Sequence, residues 1–435
     1  MPQLINILTD LVFILLHFFV FFFTYHILGK RILQPAVLFS LVWLLIIVLH
    51  FVFKLTLLNE LFQLHAATYL VFFIGNVCFS IGSVLANKGF EKNRLYYSNS
   101  RPQPVEISLA ARMIYLAIIL AGLPLYIKAS YDIFIASNAV DFFAGLRSEL
   151  SFNDADIGIL KYLMSIAFVA FAFNLYAFYL NRNKINGIIV IITFAALFTY
   201  AVFATGRTYF IIILSIYLGV SFFLNPKFSI KKQLGWFGVS FIIFFMLFGL
   251  IYGKGGNTEN SIKENIRSSS ENVGVYLVGS LNALEMQLAQ NNAAVDKGDN
   301  TLRFFIKIAL AIHLIPDRKV NSFINEYVFV PYPTNVFTGY SLYIRDFGKI
   351  YAWLMFGIYG AIQTWLFNRA LYLKSIRCMF YSSFLISPVL LSFFGDQYLT
   401  TFSLWFQLVV ITELFLFINR LFIVKKQGIV ERLVE

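Results

Sequence analysis

Leu11-Val12-Phe13-Ile14-Leu15-Leu16-His17-Phe18-Phe19-Val20-Phe21-Phe22-Phe23 is a run with one polar residue in it, and stretches of the same character recur at Phe210–Leu224 and Phe241–Ile251. Of 435 residues, 59% are hydrophobic and 13% charged, which is more apolar surface than a soluble domain can hide. Apolar stretches of roughly 18–23 residues match a hydrocarbon core about 30 Å thick at about 1.5 Å rise per residue. The period-two alternation of a membrane β-barrel is absent. The chain therefore reads as an all-α polytopic integral membrane protein.

Working outward from that run, the pattern predicts eleven transmembrane helices, at about 4–28, 33–53, 66–87, 108–128, 159–180, 185–204, 208–224, 234–252, 350–372, 379–396 and 401–424. The first lacks a basic leader and a small-residue cleavage site, so it reads as a retained helix. Three regions follow: helices 1 to 8 over 1–252, one large external loop over 253–348, and helices 9 to 11 with a cytoplasmic tail over 349–435. Within the loop, a helix is expected at roughly 271–291 and an amphipathic one at about 301–315, the second suited to lying in the membrane interface.

The net charge of +12 sorts by side. With the N-terminus outside, 18 of the 34 Lys and Arg residues fall on cytoplasmic loops against only Glu91, Glu106, Glu431 and Glu435, a balance of +14 inside and −2 elsewhere. That is the bias the positive-inside rule demands, and it makes the basic composition a topology signal rather than a nucleic-acid-binding one. Cys78 and Cys378 lie far apart in this topology, and the five His residues show no paired spacing. Neither a disulfide framework nor a metal centre is expected, and no cofactor motif is present.

Chemistry is sought where polar residues meet apolar spans. The stretch Pro331-Tyr332-Pro333-Thr334-Asn335, continuing through Thr338-Gly339-Tyr340 to Arg345-Asp346-Phe347-Gly348, puts Arg, Asp, Asn and Thr together just before a span. Guanidinium grips phosphate, while hydroxyls and amides grip polyols. Arg207 sits in the turn Thr205-Gly206-Arg207 between two spans, where it either snorkels to headgroups or holds a phosphate. Arg345 and Asp346 either pair locally or capture an anion, and Arg147, Arg303 and Arg318 are further external cations. His313 is read on the apolar face of the amphipathic segment, as a satisfied core residue or as a general base. Asp346, Glu326 and Asp396 are rival bases, and no spacing ranks them. Tyr327, Tyr332, Tyr340 and Tyr343 fit an aromatic belt or, less directly, sugar stacking.

The Thr205-Gly206-Arg207 turn, the large late external loop, and Thr338-Gly339-Tyr340 with Arg345-Asp346-Phe347-Gly348 leading into a helix with Gly357 and Gly360 resemble the Wzy-type O-antigen and oligosaccharide repeat-unit polymerases of bacterial inner membranes. The resemblance implies a multi-pass glycosyltransferase that moves a growing glycan from undecaprenyl diphosphate to the non-reducing end of a new undecaprenyl-diphosphate-linked repeat unit on the periplasmic face. It implies Arg207, Arg345 and Arg147 as diphosphate ligands, and His313 or Asp346 as base. It also implies Arg303, Arg318, Tyr340 and Asn335 as sugar or loop contacts, with a chain-length regulator as a partner. An O-antigen ligase shares this donor and architecture, and a flippase or other transporter is the alternative of a different class. Few ionisable residues are expected within the spans, which argues against transport.

Reporter fusions test the charge-derived topology. Fusions after Lys92 and Lys232 are expected to report the cytoplasm, and fusions near Arg147 and Asn300 the exterior; inverted labelling at both pairs would overturn it.

Overall fold

The computed structural model describes residues 2–56, 61–92, 105–152, 155–225, 228–229, 233, 262–290, 296–318, 320, 327–330 and 332–434. Among them nine helices are long and apolar enough to cross a membrane: Leu4–Ile27, Pro35–Thr56, Ala66–Lys92, Leu109–Ser137, Gly158–Leu180, Lys184–Phe203, Arg207–Leu224, Lys349–Leu373 and Phe402–Val424. In lipid only a helix satisfies its own backbone, so these segments make the chain a multi-pass α-helical membrane protein.

In chain order the helices are α1 (Pro2–Ile27), α2 (Pro35–Thr56), α3 (Ala66–Lys92), α4 (Leu109–Ser137), α5 (Phe142–Phe152), α6 (Tyr162–Leu180), α7 (Lys184–Phe203) and α8 (Arg207–Leu224). They continue with α9 (Ile262–Ala289), α10 (Arg303–Ala311), α11 (Ser341–Phe347), α12 (Lys349–Leu373), α13 (Ile376–Phe384), α14 (Ile386–Leu390) and α15 (Phe402–Val434). An antiparallel pair, β1 (Val328–Phe329) with β2 (Pro333–Thr334), stands between α10 and α11. Local signals set several ends. Pro35 opens α2, Asn138 closes α4 in the left-handed conformation, and the Asn183 side chain accepts from the Asn186 amide at 2.8 Å to cap α7.

Nine expected spans fall on these helices, eight of them with ends within about five residues, while the one expected to end at 128 continues to Ser137. The expected span at 234–252 lies outside the described residues. The one expected at 379–396 is instead two short helices, α13 and α14, followed by an irregular stretch to Thr401. Pro388 explains the break, because it has no N–H to donate and its ring clashes with the carbonyl of Phe384, where α13 ends. The helix expected near 271–291 runs over Ile262–Ala289, and the amphipathic one is shorter than expected, Arg303–Ala311.

The chain divides into two compact units. The first comprises Met1–Ser100, Trp236–Asn368 and Leu385–Phe402; the second comprises Arg101–Gly235, Arg369–Phe384 and Ser403–Glu435. In the first, α3 and α12 meet backbone to backbone. A Cβ on Gly82 would lie 1.9 Å from the Gly357 carbonyl oxygen, and one on Gly360 would lie 2.1 Å from that of Phe79. Small residues allow this approach, which dispersion then rewards. Ser83 Oγ donates to the Gly360 carbonyl at 3.0 Å, and Phe39 stacks on Phe79 at 4.2 Å between centroids. The second unit is centred on Phe173, which stacks on Phe415 at 3.7 Å and meets Phe380 edge-on at 4.5 Å. Tyr126 and Tyr200 meet edge to face there, and the Tyr200 hydroxyl donates to the Ile119 carbonyl at 2.7 Å.

Gly82→Ala is expected to cost about 1–3 kcal/mol by overpacking, while Gly89→Ala, on the same helix with nothing within 4 Å of the added Cβ, leaves stability unchanged. Thermal unfolding in detergent checks this, and equal midpoints for the two variants would remove the backbone contact as a determinant.

Candidate functional site

Helix α11 sets the geometry of a polar cluster in the first unit. Tyr343 and Asp346, three residues apart, share its inner face and are buried, whereas Arg345 stands half-exposed at the rim. Asp346 is 1% exposed. One carboxylate oxygen accepts from the Asn300 side chain at 2.7 Å and its amide at 3.4 Å; the other accepts from the Thr301 amide at 2.7 Å and hydroxyl at 2.6 Å. This carboxylate thereby fastens the turn that leads into α10. Its two oxygens accept four hydrogen bonds from this turn, which occupies the lone pairs that the expected base role would use.

The fastened turn brings in Arg303, the first residue of α10, whose Nε donates to the Asn300 carbonyl at 3.1 Å. Burial holds this guanidinium below its ordinary pKa, and the charges of Asp396 and Asp346 act in the opposite direction. Asp396, on the irregular stretch after α14, accepts from the Tyr343 hydroxyl at 2.9 Å, the Tyr398 amide at 2.9 Å and the Thr400 amide at 2.8 Å. Burial still pushes its carboxyl above the usual range, against those hydrogen bonds. The network continues into α12: the Tyr343 and Tyr359 hydroxyls are 2.8 Å apart, Tyr359 stacks on Tyr398 at 4.1 Å, and Gln363 donates to the Tyr398 hydroxyl at 2.9 Å.

At the rim, Arg345 pairs with Asp296 at 2.9 Å and Arg318 with Asp299 at 2.8 Å. The cluster thus joins Arg303, Arg345 and Asp346, with Arg318 beside them, through a turn carrying Asp296, Asp299, Asn300 and Thr301. Sequence reading missed those turn residues, because a polar turn in a long loop carries no spacing signal. With Arg303 facing two carboxylates and Arg345 and Arg318 each paired, the cluster has no excess positive charge for the diphosphate expected at Arg345.

Other expected residues sit elsewhere. Tyr340 is fully buried, with its ring 4.3 Å from Phe356 and 5.2 Å from Trp43 and packed where a Gly75 side chain would be. It offers no face to a sugar, and neither it nor Tyr343 belongs to an interfacial belt. Asn335 is half-buried after β2. His313 lies just past α10 in the left-handed conformation and is exposed, so it is not on a buried apolar face. Glu326 lies outside the described residues.

Arg147 and Arg207 belong to the second unit, and both are half-buried. Phe142 and Phe143 of α5 pack on Phe203 at the end of α7, which places Arg147's helix beside the Thr205-Gly206-Arg207 turn. Thr205 takes φ +54°, a strained conformation for a β-branched residue, and Arg207 becomes the first residue of α8. A cation at a helix N-terminus works against the helix dipole.

A second buried polar group of the first unit was also missed. Asp10 of α1 is 0% exposed and accepts from Lys54 of α2, from Gln63 at 2.9 Å and from the Tyr69 hydroxyl at 2.7 Å. Nearby elements are bound by His50 to Asn282 at 3.0 Å and by the His65 amide to Glu285 at 2.8 Å. The available signal was Asp10 itself, an acid inside an apolar run. Among the described residues no group of three or more His, Cys, Asp or Glu side chains is placed to hold a metal ion.

The fold defines a multi-pass helical membrane protein with a buried acid, arginine and tyrosine cluster beside one of its spans. No protein-family model matches the chain, and no curated protein and no solved structure matches it either.

Asp346→Ala would leave the Asn300 and Thr301 donors unsatisfied, at about 1–3 kcal/mol each. Faster hydrogen exchange across 299–303 and a lower thermal midpoint are expected, and unchanged protection there would refute the fastening role.

Proposed function

We propose that the chain is a membrane-embedded glycosyltransferase that polymerises oligosaccharide repeat units carried on undecaprenyl diphosphate, at the periplasmic face of a bacterial inner membrane. The observation that carries the proposal is Asp396, a buried carboxyl with a raised pKa, held by Tyr343 near Arg303 on the irregular stretch between α14 and α15. A base for a sugar hydroxyl gains from a pKa lifted toward working pH. Asp396 takes the acceptor hydroxyl proton as that oxygen attacks the anomeric carbon, and the diphosphate departs with the electrons of the broken C1–O bond. Glycosyl transfer builds positive charge on the sugar, which a cluster without excess cations stabilises. Arg207, with Arg147 beside its turn, remains the proposal for holding phosphate on the second unit.

One observation favours a second reading. Asp10, Lys54, His17 and His50 are ionisable groups on membrane-length helices, and Asp10, His17 and His50 are fully buried. Such groups, few as they are, mark ion or substrate paths in transporters.

Purified protein given only undecaprenyl-diphosphate-linked repeat units, chelator and no nucleotide sugar is expected to build glycan ladders. Asp396→Asn should slow this by about 10²–10⁴-fold at unchanged protein level, whereas Asp10→Asn should leave it intact. Arg207→Ala should abolish ladders, and Arg207→Lys should restore them only in part, since an ammonium lacks the bidentate fork. A strict need for nucleotide sugar, or a wild-type ladder from Asp396→Asn, would overturn the reading. Movement of lipid-linked substrate across vesicles, lost with Asp10→Asn, would favour the transporter.

A further inference from the structure

The second unit holds a buried cation without a counter-charge. Arg112 lies in the first turn of α4 and is 5% exposed. One terminal nitrogen donates to the Asn186 side-chain oxygen at 2.9 Å, while Nε and the other terminal nitrogen have no hydrogen-bond partner. Among the described residues no carboxylate lies within ion-pair distance of it. A buried charge with unmet donors is costly, so it points to a ligand.

The surroundings are built and electropositive. Asn186 is held from two sides, its amide bonded to Asn183 Oδ1 at 2.8 Å and its side chain donating to the Asn181 carbonyl at 2.7 Å. It lies in the first turn of α7, a helix of 20 residues whose N-terminus carries partial positive charge. Arg182 and Lys184 stand exposed on either side of the cap residue. The entry of α4 is anchored as well: the Ser108 amide donates to Asn419 at 2.7 Å, and Asn419 donates to the Glu106 carbonyl at 2.9 Å. The arginine is therefore presented by fixed elements.

We propose that Arg112, against the first turn of α7, binds a phosphate oxyanion. Nε and Nη1 are unmet on opposite edges of the guanidinium, so release of Nη2 from Asn186 completes a planar fork on either edge that matches two oxygens of a tetrahedral phosphate, and Arg182, Lys184 and the helix terminus add attraction. A lipid headgroup and free phosphate share this chemistry. Binding therefore replaces the Asn186 contact, since the nitrogen it holds is common to both edges.

Full-length protein in detergent is titrated with radiolabelled inorganic phosphate. In parallel, protein from nanodiscs of phosphatidylglycerol, or of a glucosyl diacylglycerol that lacks phosphate, is analysed by native mass spectrometry for retained lipid. One phosphate-bearing molecule per chain is expected: saturable phosphate binding identifies the free ion, and retention of phosphatidylglycerol alone identifies the headgroup. Arg112→Gln should lower the binding constant at least tenfold, and Arg112→Lys by a few-fold. Asn186→Asp keeps the protein usable should Arg112→Gln fail to fold, because its carboxylate neutralises Arg112 internally; it too should expel the ligand without lowering the thermal midpoint. No binding of either probe to the wild type, or wild-type binding by folded Asn186→Asp, would overturn the proposal.

Discussion

Three side-chain and backbone donors at full hydrogen-bonding distance converge on the carboxylate of Asp346, and the candidate site hangs from them. Asn300 and Thr301 are held against α11 by this one group, which turns Arg303 inward toward Asp396. The Arg345–Asp296 pair at 2.9 Å ties the same turn to α11 at the rim, so the two carboxylates together set its register. The same constraint governs the whole chain. An apolar protein in lipid has little water to satisfy a polar group, so the buried pairs that form decide how the helices meet.

This explains why the first unit is more polar inside than its composition suggests. Asp10 collects three donors from α2, α3 and the stretch before α3, so it holds those elements in place much as Asp346 holds the turn. Ser40 donates to Asn76 at 2.8 Å between α2 and α3. Such bonds are worth little each in a membrane, but they are directional, and they fix rotation where greasy surfaces would slide. The glycine approach of α3 and α12 complements them by allowing backbones to touch.

The two arginine populations differ in kind. Arg303, Arg318 and Arg345 have carboxylates near them: Arg318 and Arg345 pair with Asp299 and Asp296, and Arg303 feels the charges of Asp396 and Asp346. Arg112 has none within ion-pair distance among the described residues and sits where a helix terminus and two exposed cations reinforce it. A neutralised guanidinium positions its neighbours, whereas an unneutralised one attracts an anion. The distinction is one of environment, since the side chain is the same.

Length and apolarity alone determined the helical membrane class and nine of its spans, because spanning lipid is a requirement on continuous composition that any window of the chain exposes. They also marked Arg345 and Asp346 as worth inspection, since charges beside a span are costly wherever they end up. The sequence was silent on which partner each charge takes. Asp346 meets residues 45 positions earlier, Tyr343 meets Asp396, and Tyr340 fills the space left by Gly75, all contacts between segments far apart in the chain. Tertiary structure made Asp346 a fastener, left Asp396 as the buried acid and put His313 in the open. Hydrogen bonding and desolvation depend on what surrounds a side chain, and local pattern records only the residue itself.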